Sequence, residues 1–302
     1  MTPSTKIATL GQGRFGKLVA RKVLVSALVV AIAAGLYLII SQTYPFRWQR
    51  AIDYLPLFDE ALWMTIKVSC FGMGLGVPLG LLIALARVGL HNYQPAPLPE
   101  SAPFWRYITA YLSRVVITLA HDLSLLYIHT IRNIPFLVFV LLMYFGVGRA
   151  LIAPGQAVSL FGVPVDERML WGSIALGLFE ASFMSEIFRA GIQSIHKTQA
   201  EAARSLGMGF FQSMQHVILP QAFRAVIPPL TGESIALIKE SALLTIISLG
   251  ELTHIAQELG SRTLLQFEFF LILAGYYLIL TVPLSILSHV LEKRLNIHRR
   301  QA

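Results

Sequence analysis

The stretch EALWMTIKVSCFGMGLGVPLGLLIALAR, residues 60–87, decides the fold. Between Glu60 and Arg87 its one charge is Lys67. A bilayer hydrocarbon core of ~30 Å takes about 20 helical residues, so this run is long enough to cross. Lipid offers the backbone no hydrogen bonds, so a crossing segment is a helix or a strand of a closed barrel. The apolar residues run on without the alternation a barrel strand needs, which leaves the helix. Working outward, comparable runs lie at about Val23–Ile40, Asp122–Val147, Met169–Ser194, Val226–Leu249 and Phe267–Leu291. The expected fold is an all-α integral membrane protein of about six transmembrane helices. Composition agrees: 13% of residues are charged, against about 25% in a typical soluble protein.

The net charge of +8 is read as membrane orientation rather than nucleic-acid binding, because basic residues gather on the cytoplasmic side. With the N-terminus inside, the cytoplasmic segments hold Lys6, Arg14, Lys17, Arg21, Lys22, Arg87, Arg106, Arg114, Arg189, Lys197, Arg204, Arg224, Lys293, Arg294, Arg299 and Arg300. The outer loops hold Arg47, Arg50, Arg149, Arg168 and Arg262. That bias of about threefold places both termini in the cytoplasm. Residues 1–22 then form a basic tail, 23–41 a first helix, 60–291 the main membrane domain and 292–302 a second tail. The first helix is read as a retained anchor, because no small-residue cleavage site follows it. Trp48, Trp63, Trp105 and Trp171 lie near span ends, as interfacial anchors do.

Two cytoplasmic stretches are long. Residues 88–121 contain the run Gln94-Pro95-Ala96-Pro97-Leu98-Pro99, which suits an extended linker, and Arg106–Leu119 reads as a helix on the membrane surface. In residues 195–225, Thr198 and Glu201 have capping-box spacing. Ala202 and Ala203 favour helix, and Gly207 suits the left-handed residue that ends one. Phe210–Val217 is a second short segment, expected to break at Leu219-Pro220. By local physics the first helix is either an ordinary connector or a projection that fits a groove on a partner.

A resemblance decides between these. Glu201-Ala202-Ala203, then Gly207, then Val217, then Leu219-Pro220 is similar in residue type and spacing to the cytoplasmic signature loop of ATP-binding cassette (ABC) importer permeases, with Val217 where the family usually has Ile. Glu186 to Ile195, Arg132-Asn133-Ile134-Pro135 with Tyr144-Phe145, and Pro228-Pro229-Leu230 through Lys239-Glu240 to Glu251-Leu252-Thr253 resemble flanking segments of the polar amino acid permeases. The resemblance covers roughly residues 60–291. It implies a five-helix permease core, to which the first helix and the Pro-rich loop are additions. It implies that the Glu201–Gly207 helix docks on a separate cytoplasmic ATPase, which binds the ATP, so that the chain needs no cofactor and no catalytic site of its own. It implies a second permease subunit, identical or related, a periplasmic amino-acid-binding protein that delivers cargo, and location in the bacterial inner membrane. Gly232, Ser241 and Ala242 depart from the family's usual Asn, Thr and Ser.

Charges within the spans are the remaining candidates. Lys67, Arg132, Glu180, Glu186, Glu233, Lys239 and Glu240 would be costly in lipid, so they face the protein interior or a wet cavity. An amino acid carries both an ammonium and a carboxylate, and Arg132, Glu180, Lys239 and Glu240 are the candidates for its path. Ion pairing between helices is the alternative for each. Gly72, Gly76 and Gly80 recur every fourth residue and suit close helix contact. Cys70, the single cysteine, reads as inert packing. Gly11–Lys17 matches the start of a nucleotide-binding loop, but Leu18 stands where Ser or Thr should hold Mg²⁺. A secondary transporter would share the buried charges but would have no use for the helix at Glu201.

Overall fold

The computed structural model describes residues 37–90, 103–151, 158–160 and 163–295, together with residues 31, 34 and 35. The basic tail, the Gly11–Lys17 match, most of the 23–41 helix, the Pro-rich run and the last residues of the C-terminal tail lie outside these. The chain divides into two compact units, residues 1–52 and 53–302. In the first, helix continues to Thr43. Phe46 then stacks between Tyr37 at 5.1 Å and Trp48 at 5.5 Å. Such a cluster of amphipathic rings suits a membrane interface.

The second unit is a helical bundle. Helix α1 spans Leu55–Leu85 and runs on through a wide π-type turn, Ala86–Leu90. Helix α2 spans Phe104–Asn133 and α3 Phe136–Leu141. A two-stranded antiparallel ribbon pairs Val158–Leu160 with Val163–Val165, a small departure from helix in the connection to α4, Glu167–Gln193. Helices α5, Lys197–Ser205, and α6, Phe210–Ser213, follow. Helix α7 spans Leu219–Glu240, α8 Leu252–Thr263 and α9 Gln266–Leu295. Residues 55–88, 104–133 and 266–295 are long and apolar enough to cross a membrane, as the expected membrane bundle requires.

Helix α4 is the centre. Asp166 starts it by accepting the backbone N–H groups of Arg168 at 2.7 Å and Met169 at 3.3 Å, which satisfies two donors a helix start leaves free. Leu176, Phe179, Met184 and Phe188 along it are buried in the main core. The expected glycine ladder is the seam between α1 and α4. A Cβ on Gly72 would meet Leu176 at 3.2 Å, and one on Gly80 would lie 2.8 Å from the Met184 Cβ. Gly177 answers from the other side, where a Cβ would lie 2.8 Å from the Gly72 carbonyl. Close packing of small residues is what associates helices in lipid, where burial of apolar area gives no net drive.

Four expectations are corrected. The span at Asp122–Val147 is not one helix. Its first part belongs to α2, which also absorbs the surface helix expected at Arg106–Leu119, so residues 104–121 are helical. The break falls at Ile134, extended at φ −99°, ψ 130°, because the following Pro135 excludes the helical conformation. Second, no break occurs at Leu219-Pro220. Helix α6 passes through a π-type turn, Met214–Ile218, straight into α7, and a widened turn accommodates a proline that lacks an N–H. Third, Cys70 is exposed on α1 rather than buried. Fourth, Trp171 is 7% exposed and its ring lies against Gly148, where a Cβ would come within 3.1 Å. It packs in the core, whereas Trp63 and Trp105 are exposed as anchors should be.

Candidate functional site

The loop between α4 and α7 holds the first site. Helix α5 contains Glu201, Ala202 and Ala203. Thr198 does not cap it: the helix starts two residues earlier than the capping box requires, and His196 at its N-cap makes no side-chain cap bond. The C-terminal expectation holds. Gly207 has φ +81°. Its N–H donates to the Arg204 carbonyl at 2.9 Å, and the Met208 N–H donates to the Ala203 carbonyl at 3.1 Å. Those two bonds around a left-handed residue are a Schellman motif, which turns the chain sharply and satisfies carbonyls the helix end would leave free. Ala203 is buried, while Glu201 and Leu206 are exposed, Leu206 to 79%. Val217 and Leu219 lie at the turn into α7. The Val217 carbonyl accepts from Gln221 at 2.9 Å, and Gln221 also reaches Gln199 of α5 at 3.4 Å. Pro220 sits in the first turn of α7. The signature residues therefore form one projecting element tied to the start of α7.

The second site lies between α4 and α7. Glu180 is 1% exposed, and the carboxyls of Glu233 and Glu240 lie within hydrogen-bonding reach of it. Glu233 and Glu240 stand seven residues apart on α7, about two turns, and so share a face. Glu180 and Glu240 each keep one oxygen, Oε2, buried with no donor among the described residues. Lys239, beside Glu240, is exposed, and a Cβ on Gly232 would meet nothing within 4 Å. Glu233 was counted among the charges within the spans but not among the candidates for the amino acid's path, although its spacing from Glu240 was a visible signal. The structure brings Glu180 and Glu240 together with Lys239 adjacent.

It does not bring Arg132 to them. The Arg132 guanidinium lies over the Phe183 ring at 4.7 Å and lines a different cavity with Arg87, His129, Asn133 and Glu186. Glu186 is ion-paired there, to Arg87 and to Arg189 at 2.7 Å, which bears out the ion-pair alternative for that residue.

A third polar group lies between α7 and α8. Glu251 is fully buried and caps α8, accepting the N–H groups of His254 at 2.7 Å and Thr253 at 2.8 Å. Burial nevertheless pushes its carboxyl up to about 7. The neighbouring Leu252 N–H donates to Thr65 Oγ1 of α1 at 3.2 Å. Among the described residues no cluster of His, Cys, Asp and Glu has the grouping to hold a metal.

A membrane bundle with charged groups in its middle and a projecting, tightly closed helix at one end is the membrane subunit of a driven transport system. The chain belongs to the family of binding-protein-dependent transport system inner membrane components, which matches residues 109–297. It is similar to a glutamate/aspartate import permease protein, GltK, of Escherichia coli O6:H1, 32% identical over 253 residues that are 83% of this chain and 99% of GltK. It is also similar to a probable glutamine ABC transporter permease protein, GlnM, of Bacillus subtilis (strain 168), 41% identical over 170 residues, 56% of this chain and 73% of GlnM. Among solved structures it matches an amino acid ABC transporter crystallised with histidines, with TM-score 0.64 and 31% identity over 83% of this chain and 100% of that one. The family is that of importer membrane subunits, and ATP hydrolysis belongs to a separate subunit.

Proposed function

We propose that this chain is the permease subunit of an ABC importer for polar amino acids in the bacterial inner membrane, with both termini cytoplasmic. The observation that carries the reading is the Glu201–Gly207 helix, closed by its Schellman turn and followed by α6, which runs without a break into α7, in a chain that matches an amino acid permease over 83% of its own length and 99% of that permease's. A cytoplasmic ATPase binds the ATP and docks on Glu201, Ala202, Ala203 and Gly207. Val217, Leu219 and Pro220 pass its motion to α7. A second permease subunit, identical or paralogous, completes the path, and a periplasmic amino-acid-binding protein supplies cargo.

Glu180 and Glu240, with Glu233, form the part of the path that receives the ammonium group, and Lys239 faces the carboxylate. A buried carboxyl with an unpaired oxygen is stabilised by a cation brought to it, and every amino acid brings one. Arg132 is left out of this path because it faces a separate cavity. The test is ATP-dependent uptake in liposomes that contain the permease, its co-purified ATPase and the binding protein. Uptake that needs ATP and falls several-fold in Lys239→Met, with assembly intact, supports the reading. Uptake driven by an ion gradient without ATP would sink it.

A further inference from the structure

The cavity beside Arg132 has no part in that path. Its volume is about 390 Å³, and Leu125 and Ile128 of α2 form its apolar wall. Its charges do not balance. Glu186 is already held by Arg87 and Arg189, whereas Arg132 has no carboxylate within ion-pair distance among the described residues and makes its contact with the Phe183 ring. The Arg87 Nε–H is buried with no acceptor. Asn133 uses one amide hydrogen on the His129 carbonyl, at 2.7 Å, and has a second to give. The exposed Arg132 guanidinium and the unpartnered Arg87 Nε–H leave the cavity able to take an anion. Its Leu125 and Ile128 wall calls for something apolar attached to that anion. The position fits as well. Arg87 lies in the turn that ends α1, and Glu186 is two turns from the end of α4, so the cavity opens at the coupling-loop end of the bundle. Basic pockets between helices at the cytoplasmic face are where lipid head groups bind.

We propose that the cavity between α1, α2 and α4 holds the phosphate of an anionic phospholipid, with Arg132 and Arg87 on its oxygens and Leu125 and Ile128 along an acyl chain. The leaflet is the cytoplasmic one, given the orientation proposed above; the site itself does not depend on what the importer carries. Guanidinium–phosphate contacts are charge-assisted and bidentate, so losing one weakens retention about tenfold.

The permease–ATPase complex is placed in nanodiscs of phosphatidylglycerol and phosphatidylcholine, and the lipids retained after mild delipidation are counted by native mass spectrometry. Retained phosphatidylglycerol that falls about tenfold in Arg132→Gln and persists in Arg132→Lys supports the site. Equal retention of the two lipids, or an Arg132→Gln complex that keeps phosphatidylglycerol, overturns it. Wild-type complex that binds inorganic phosphate in phosphatidylcholine discs, with no preference for the anionic lipid, assigns the cavity to a soluble anion and also overturns it. So does a disulfide between Asn133→Cys residues of two permease chains, which would mean a second copy covers the cavity. If Arg132→Gln does not assemble, the wild-type complex decides the matter: selective retention of phosphatidylglycerol over phosphatidylcholine supports the site, and equal retention overturns it.

Discussion

Replacing Gly207 isolates what the loop's shape contributes, because the two usual penalties separate there. A Cβ at this position would meet nothing within 4 Å, so no substitution is penalised by clash inside the chain. The cost is in the backbone, held at φ +81°. An L-residue with a Cβ loses roughly 1–2 kcal/mol in the left-handed region, and a β-branched one sits at or above the top of that range. Asn tolerates the conformation far better. A helix as short as α5 is marginal alone, so ~2 kcal/mol for Gly207→Val lowers the population of the turned conformation about 30-fold. Gly207→Pro loses more, because its φ is fixed near −65° and it has no N–H to give the Arg204 carbonyl. The expected order for ATP-dependent uptake and for ATPase co-purification is wild type, then Asn, then Val, then Pro, with equal amounts of each in the membrane. Uptake and co-purification in Gly207→Val equal to wild type would refute the link from backbone conformation to coupling.

Glu180→Gln removes one of three neighbouring carboxyls and is expected to keep or raise thermal stability while cutting uptake several-fold; unchanged uptake would make the cluster structural. Gly80→Val forces a side chain against the Met184 Cβ and the Ala181 carbonyl and is expected to cost about 1–3 kcal/mol by overpacking, seen as a lower melting temperature in detergent, whereas Gly74→Val, with open space around it, should cost little. For Glu251, burial raises the folded carboxyl from 4.5 to about 7. The folded state therefore prefers the protonated form, so the stability tied to that proton is full below about pH 4.5 and is lost as pH rises through about 7. The ceiling is about 3 kcal/mol. Wild type should melt lower at pH 8 than at pH 5.5, and Glu251→Gln should flatten that slope; parallel profiles would count against it.

Helix positions were legible in the sequence because lipid imposes a single rule, satisfied backbone over a fixed thickness, and the Glu60–Arg87 run obeys it plainly. The left-handed turn at Gly207 was legible because few residues but glycine take that conformation at low cost. The break at Ile134-Pro135 was missed because hydropathy continues through it, although the proline was the signal. At Pro220 the same signal misled, since the π-type turn beside it depends on how α6 meets α7. The partners of Glu180 and Arg132 depend on which helices become neighbours, and periodicity along one chain carries no such information. Glu233 was recoverable from its spacing to Glu240. Trp171 was misplaced because the pocket that takes its ring is made by Gly148, from a different segment.

From Phe210 to Glu240 the chain is helical throughout, and at 1.5 Å per residue that is about 46 Å of helix. The end that follows the proposed ATPase-docking turn at Gly207 and two of the three carboxyls are thus opposite ends of one rod. A tilt of about 10° imposed at the docking end displaces the far end by roughly 8 Å, far beyond hydrogen-bonding reach, so Glu240 would part from Glu180 in the same stroke. The affinity of the path for cargo and the state of the nucleotide then become one thermodynamic variable read at two places. By linkage, cargo that bridges Glu180 to Glu240 must resist the stroke to the same extent that the stroke expels the cargo.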